Sequence, residues 1–237
     1  LKINNNTILD NISFVLNSGE SLGIIGSTGS GKSMIVYLLL GFFEATSGEI
    51  LIDGINIKEI NKRYIREKIS AIMQDSELFN MSILDNIKIV NDDIDESSVY
   101  NATEISSIHN EIMDFSSKYR TTVVDNGVNL SGGQKQRISI ARGLLKPFEV
   151  LILDDSLSAV DMNTDLKINN ALKSMDRKFT SIFISHRIST ITNCDNIIVM
   201  DDGKIVESGK HNELIKKNGM YSKINEIQSK EYDVSNE

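Results

Sequence analysis

The sequence predicts an α/β fold: a mostly parallel sheet core with an antiparallel β subdomain and an inserted all-helical subdomain. Three observations predict it. Short apolar runs alternate with helical stretches near both ends of the chain, as in a parallel sheet whose crossovers are helices. One strand-to-helix junction reads GSTGSGKS over residues 26–33, a loop in the pattern G-x-x-x-x-G-K-[ST]. The middle of the chain, residues 82–145, reads instead as mainly helical and polar, which marks it as an insert.

The elements follow in order. Residues 11–16 and 21–25 predict short strands. Residues 32–43 predict the helix that the loop opens. Its run MIVYLLLGFF is far short of the roughly 20 apolar residues that cross a bilayer, so it reads as a buried core helix. Residues 49–53 and 55–57 flank Asp53-Gly54, a hairpin signal that supplies the β subdomain. Residues 69–73 form a short apolar strand ending at Gln74. Helices are predicted at 82–90, 96–105, 107–115 and 132–145. Strands return at 150–153, 181–185 and 197–200, alternating with helices at 162–175 and 211–225. The α/β core with its β subdomain thus occupies 1–81 and 146–228, the helical subdomain 82–145, and a polar, loose tail 229–237.

Composition narrows the function classes. At 237 residues the chain suits one large domain, or a core with a subdomain. A net charge of −8 argues against nucleic acid as a partner, which calls for a basic patch. The single cysteine, Cys194, excludes an internal disulfide and a cysteine metal cluster. His109, His186 and His211 show no metal-ligand spacing. No signal-peptide pattern opens the chain, and its start at Leu1 reads as a fragment or a processed product.

The loop carries the chemistry. Gly26, Ser27, Thr28, Gly29, Ser30, Gly31, Lys32 and Ser33 let the backbone curl until successive N–H groups face phosphate oxygens. The helix that follows offers its positive N-terminus to the same anion. Lys32 would reach the β- and γ-phosphates and Ser33 would ligate Mg²⁺. The run VLILDD at 150–155 delivers Asp154 at the C-terminal end of a buried strand, where open α/β sheets bind ligands. An aspartate there can hold Mg²⁺. These features predict a P-loop NTPase (RecA-like) core.

Leu130, Ser131, Gly132, Gly133 and Gln134 read LSGGQ. With them the chain resembles the nucleotide-binding domain of an ATP-binding cassette (ABC) transporter over nearly its whole length. The resemblance makes residues 26–33 the Walker A loop and 150–154 the Walker B strand. Gln74 becomes the Q-loop glutamine, a sensor of the γ-phosphate and Mg²⁺. Ser158, Ala159, Val160 and Asp161 become the D-loop. His186 becomes the switch histidine, which contacts the γ-phosphate and helps align the attacking water. ATP and Mg²⁺ are the implied cofactors, with Ser33, Gln74 and Asp154 on the metal. The resemblance also implies two such domains meeting head to tail, with ATP between the Walker motifs of one and the signature of the other. Ser131 would add a hydroxyl donor, and the helix it opens points a positive end at the anion. Ser131 and Gln134 also fit a capping box. Capping does not explain two glycines in the first helical turn, each costing about 1 kcal/mol against alanine.

Gln74, Asp75, Ser76, Glu77, Leu78 and Phe79, followed by SILDNI at 82–87, resemble the exporter version of the family. There the stretch Gln74–Ile87 would receive the coupling helices of a transmembrane domain expected upstream. Residues 122–127 (TVVDNG) resemble the exporter X-loop, with Asp125 at its acidic place. Two departures matter. No aromatic residue upstream of the loop is assigned to adenine stacking, because Phe14 falls in an expected core strand. Asp155 stands where the family usually has the Glu that serves as base. Aspartate and glutamate differ little in reference pKa, about 3.9 against about 4.3, so reach is the issue. A base must lie within about 2.6–3.2 Å of its water.

The expected function is the ATPase domain of an ABC exporter half-transporter, on the cytoplasmic face of a cell membrane. Its own Walker site is expected to bind ATP well and hydrolyse it slowly. The Asp resembles the degenerate half of a heterodimeric exporter, while the intact signature serves the partner's site. Retention of His186 keeps a homodimer open. A non-transport ABC ATPase or a nucleotide-dependent dimerisation switch are the alternatives of other classes.

Overall fold

The computed structural model describes residues 1–75, 77–175 and 178–235, the last five of these by backbone alone. Ser76 of the exporter-like stretch and Asn236 and Glu237 of the expected tail lie outside the described residues. The chain forms two compact units, Leu1–Ile69 with Phe179–Glu237, and Ser70–Lys178. The second unit runs wider than the helical insert expected over 82–145, because the strands on either side of the insert group with it.

The first unit opens with a small hairpin of β1 (Lys2–Ile3) and β2 (Asn6–Thr7). Residues 11–16 form no strand, contrary to expectation. Their burial alternates as in a one-sided strand, yet they join no ladder. Alternation reports a half-covered surface, whereas a strand also needs a partner for its N–H and C=O groups. β3 (Ser21–Gly26) follows, buried from Leu22 to Gly26.

Helix α1 (Lys32–Leu39) is shorter than predicted. Gly41 takes φ 68°, Gly41 N–H donates to Leu38 O at 3.1 Å and Phe42 N–H donates to Tyr37 O at 2.9 Å. This is a Schellman stop, and the Tyr37 and Phe42 rings meet edge-on at 6.0 Å across it. Phe42 and Phe43 are consequently exposed rather than core. β4 (Leu51–Ile52) and β5 (Ile55–Asn56) pair antiparallel around Asp53-Gly54, as the turn signal predicts. Helix α2 (Lys62–Lys68), which the sequence pattern does not announce, starts at Asn61, whose side chain accepts from Arg63 N–H.

The second unit holds β6 (Ile69–Ile72) at its border, then α3 (Ile83–Lys88), α4 (Glu96–Ile105), α5 (His109–Asp114) and α6 (Gly132–Leu145). Ser82 and Asp95 cap the first two of these helices through their side chains. β7 (Val150–Asp154) lies beside β6, and α7 (Met162–Lys173) follows it.

The chain returns to the first unit with β8 (Thr180–Ile184), α8 (Ile188–Ile191), β9 (Asn196–Asp201), β10 (Lys204–Gly209), α9 (His211–Lys216) and α10 (Met220–Ser235). β3 pairs parallel with both β8 and β9. β10 adds an antiparallel edge to β9 through a turn at Asp202-Gly203, a second Asp-Gly hairpin beyond the one expected. The single helix expected at 211–225 is two helices, broken where Asn218 takes φ 51° ahead of Gly219. The expected loose tail is helical to Ser235. No Gly or Pro interrupts it, and Lys230 pairs with Glu226 one turn back at 2.7 Å, a spacing that supports a helix.

Candidate nucleotide site

The first unit carries the Gly-rich loop. β3 ends at Gly26, where an added Cβ would stand 2.0 Å from the Met200 carbonyl oxygen of β9. Only glycine lets these two strands lie this close at the point where the loop departs. Ser30 is buried under the loop. Gly31 turns the chain into α1 with φ 92°, and no side chain caps the helix there. The exposed turn of Ser27, Thr28 and Gly29 lies above it, and Ser27 Oγ donates to Asp201 at 2.9 Å. Lys32 Nζ folds back into the loop, donating to the carbonyls of Gly26 and Ser27 at 3.0 Å each. A cation inside a curl of backbone, at a helix N-terminus without a side-chain cap, is an anion-binding arrangement. The fit to a phosphate chain is good.

His186 lies two residues past β8. Because β3 and β8 are parallel neighbours with Ile24 opposite Ile184, their C-terminal ends coincide. His186 and the loop therefore leave the same edge of the sheet, the edge where open α/β sheets bind ligands. The His186 side chain is exposed.

The second unit carries Gln74, the LSGGQ segment, Asp154, Asp155 and residues 158–161. Asp154 closes β7 and is 2% exposed. Asp155 follows at φ 45°, still buried. Aspartate tolerates this left-handed conformation better than most residues. Gln74 is exposed just beyond β6. Five residues on, Phe79 is exposed and Leu78 buried, so only Leu78 belongs to the core.

The capping box at the start of α6 is real. Gln134 N–H donates to Ser131 Oγ at 3.1 Å and Ser131 N–H donates to Gln134 Oε1 at 2.9 Å. The two glycines have different reasons. A Cβ on Gly133 would meet the Ala159 carbonyl oxygen at 2.8 Å, while one on Gly132 would make ordinary contact with Ala159 at 3.4 Å. Packing against residues 158–161 accounts for Gly133 and leaves Gly132 open toward solvent. Gln136 clamps the same segment, donating to Ser158 Oγ at 3.0 Å and accepting from Ala159 N–H at 2.9 Å. Asp161 caps α7 through Thr164, whose donation holds its carboxyl below the usual range.

Sequence reasoning missed several side chains that hold these segments. Arg137, nearly buried, donates to both oxygens of Glu111 at 2.6 and 3.1 Å, and Gln134 Nε2 adds a third bond at 3.0 Å. Burial by itself would raise the Glu111 carboxyl, but these donors outweigh it and hold the group below its ordinary value. Arg142 ties α6 to the stretch after Gln74, donating to the carbonyls of Asn86 at 2.9 Å and Glu77 at 3.0 Å. Asn126 receives Leu78 N–H at 2.9 Å, so the TVVDNG loop is pinned to the same stretch. These partners lie up to 65 residues apart in sequence, and nothing local marks them.

Loop, strand order and helical insert define a P-loop nucleotide-binding fold. Residues 9–158 match the ABC transporter family, and the chain belongs to it. Similar proteins include the mitochondrial ABC transporter B family member 24 of Arabidopsis thaliana, 44% identical over 92% of this chain and 32% of that protein. The ATP-dependent lipid A-core flippase of Saccharophagus degradans is 41% identical over 91% of the chain and 37% of the flippase. A bacterial Atm1-family ABC exporter, solved with ATP bound, superimposes with TM-score 0.92 and 35% identity over 95% of this chain and 40% of that one. The chain thus spans about a third of the length of these relatives. It is a nucleotide-binding domain of the B-family and Atm1 exporter type, in a family of ATPases whose usual cofactor is ATP with Mg²⁺.

Proposed function

We propose that this domain binds and hydrolyses ATP to drive export by a half-transporter. Its transmembrane domain would receive force near Gln74–Ile87, and the domain would work at the cytoplasmic face of the membrane. The observation that carries this reading is the loop at residues 26–33, with Lys32 Nζ lodged on the Gly26 and Ser27 carbonyls at the open start of α1. In this reading Gly26 to Ser33 cradle the phosphates and Lys32 moves to the β- and γ-oxygens. Ser33, Gln74 and Asp154 supply hydroxyl, amide and carboxylate oxygens, the hard donors that Mg²⁺ takes. Bound there, Mg²⁺ would neutralise charge on the phosphate oxygens. Asp155 is the base, and His186 aligns the water on the γ-phosphate. Leu130 to Gln134 act on ATP held by a second domain, and residues 158–161 serve as the D-loop.

Asp155 sits in a buried, left-handed turn, so its backbone direction is set and its reach depends on side-chain length. One methylene too few leaves the carboxylate short of its water. A misplacement of about 1 Å can cost roughly 10²-fold in rate. We infer that the site hydrolyses slowly and that the partner is a different subunit bearing the usual Glu and a weaker signature. The retained His186 favours a second reading, a homodimer with two slow, equal sites.

The test is Mg-ATP titration together with turnover. Wild type should bind Mg-ATP and Lys32→Ala should lose at least about tenfold in affinity. Asp155→Glu should turn over about tenfold faster or more. Binding indifferent to Lys32 would overturn the nucleotide reading, and turnover unmoved by Asp155→Glu would overturn the slow site.

A further inference from the structure

The backbone around His186 is held from the far end of the sequence. Gln228, on α10, donates from Nε2 to the His186 carbonyl at 2.7 Å, and its Oε1 accepts from Ile188 N–H at 2.9 Å. Only one orientation of the amide makes both bonds, since Nε2 only donates and Oε1 only accepts. Between them, Arg187 N–H donates to Ser185 Oγ at 2.9 Å. Both peptide groups from His186 to Ile188 are therefore held by side chains, the first at its carbonyl and its N–H and the second at its N–H. Helix α8 begins at Ile188, and Arg187 offers it no side-chain cap. The Gln228 oxygen supplies that cap from 40 residues away.

The arm that carries Gln228 is itself anchored. Glu207 on β10 accepts from the Met220 and Tyr221 N–H groups at the start of α10. The Tyr221 ring is fully buried, with its hydroxyl 2.8 Å from His211 Nδ1. Gln228 lies seven positions beyond Tyr221, two helical turns on and on the same face. A buried tyrosine and a carboxylate thus fix the rotation and height of α10, and one amide transmits both to the loop bearing His186.

We propose that Gln228 is a positioning residue for His186, holding the switch backbone so that the imidazole stands ready for the γ-phosphate. This rests on the reading of His186 given above. Both polar ends of the Gln228 amide are engaged by the backbone of residues 186 and 188, so its loss should act on turnover through His186 and leave ATP binding nearly unchanged. Steady-state ATP turnover of the protein, its Gln228→Leu, Gln228→Glu and His186→Ala variants, and the His186→Ala/Gln228→Leu double variant tests it. Gln228→Leu should lower kcat about tenfold with KM within about twofold, a loss of geometry rather than of binding. In the His186→Ala background the same change should cost nothing further, because residues acting as a unit are not additive.

Gln228→Glu adds a pH signature and serves if the leucine variant does not fold. A carboxylate can accept from Ile188 N–H but repels the His186 carbonyl. A protonated carboxyl restores both bonds. The turnover of Gln228→Glu relative to wild type should therefore rise as pH falls from 7.5 toward 5.5, while that of Gln228→Leu stays flat. If His186→Ala loses turnover but Gln228→Leu and Gln228→Glu match wild type at every pH, the positioning role is wrong. It is equally wrong if Gln228→Leu costs as much in the His186→Ala background as alone. If His186→Ala itself turns over like wild type, the reading of His186 fails and the role of Gln228 with it.

Discussion

At Gly26 a single missing atom decides whether the loop can exist. The β9 carbonyl of Met200 occupies the space a Cβ would need, at 2.0 Å. Gly26→Ala should therefore force β3 away from β9. Overpacking of this kind costs about 1–3 kcal/mol, which for a domain of this size lowers Tm by roughly 3–10 °C. Calorimetry checks it, and an alanine variant that melts with wild type would contradict the close approach. The motif pattern showed glycine at this position for its loop conformation. That the Met200 backbone forbids a side chain there was not legible, because β9 lies far along the chain. Asp155 is the reverse case. Its identity was plain from sequence, but its left-handed, buried backbone was not.

Helix α6 shows how an element is made by local rules and then fastened by distant ones. Its start at Gly132 and its capping box are both legible in residues 131–145, since caps act within one turn. Its attachment to Glu111 is not. Glu111→Ala would leave Arg137 buried without its carboxylate. The expected loss is about 1–2 kcal/mol, the buried-pair value reduced because solvent screens the half-exposed carboxylate. The Glu111 carboxyl lies below its ordinary 4.5 in the folded chain. Its contribution is therefore complete above that value and disappears as pH falls through the lowered one. Urea unfolding should show a constant gap between wild type and Glu111→Ala from pH 6 to 8 that narrows once pH falls below the ordinary 4.5. A gap that widens in acid would contradict the assignment. Other elements departed from expectation for comparable reasons. Residues 11–16 have the alternation of a strand but no ladder to join. Helices α9 and α10 look like one in sequence, because the left-handed break at Asn218 is a backbone choice that the pattern of side chains does not display.

In the function proposed above, this domain works only with a second such domain. Ser131 is exposed at the start of α6 with Gly132 beside it, and in the proposed reading the pair acts on ATP held by a second domain. Ser131→Arg in a co-expressed heterodimer should abolish most ATP turnover, at least about tenfold, by putting a bulky side chain where a phosphate is to approach. Turnover that survives would mean that this signature does not serve the partner's site. The sequence by itself determined the α/β class, the phosphate loop, the LSGGQ segment and the order of the motifs. Each of these is short-range chemistry: a turn that needs glycine, a cap, an apolar run that must be buried. Only the tertiary structure decided that β3 and β8 run parallel, so that His186 and the loop leave one sheet edge. It alone decided that Ala159 requires Gly133, that Glu111 holds Gln134, that Gln136 holds Ser158 and Ala159, and that Gln228 holds the backbone of residues 186–188. These are pairings between residues tens of positions apart. No local propensity encodes them, because nothing in either partner's own stretch of sequence points to the other.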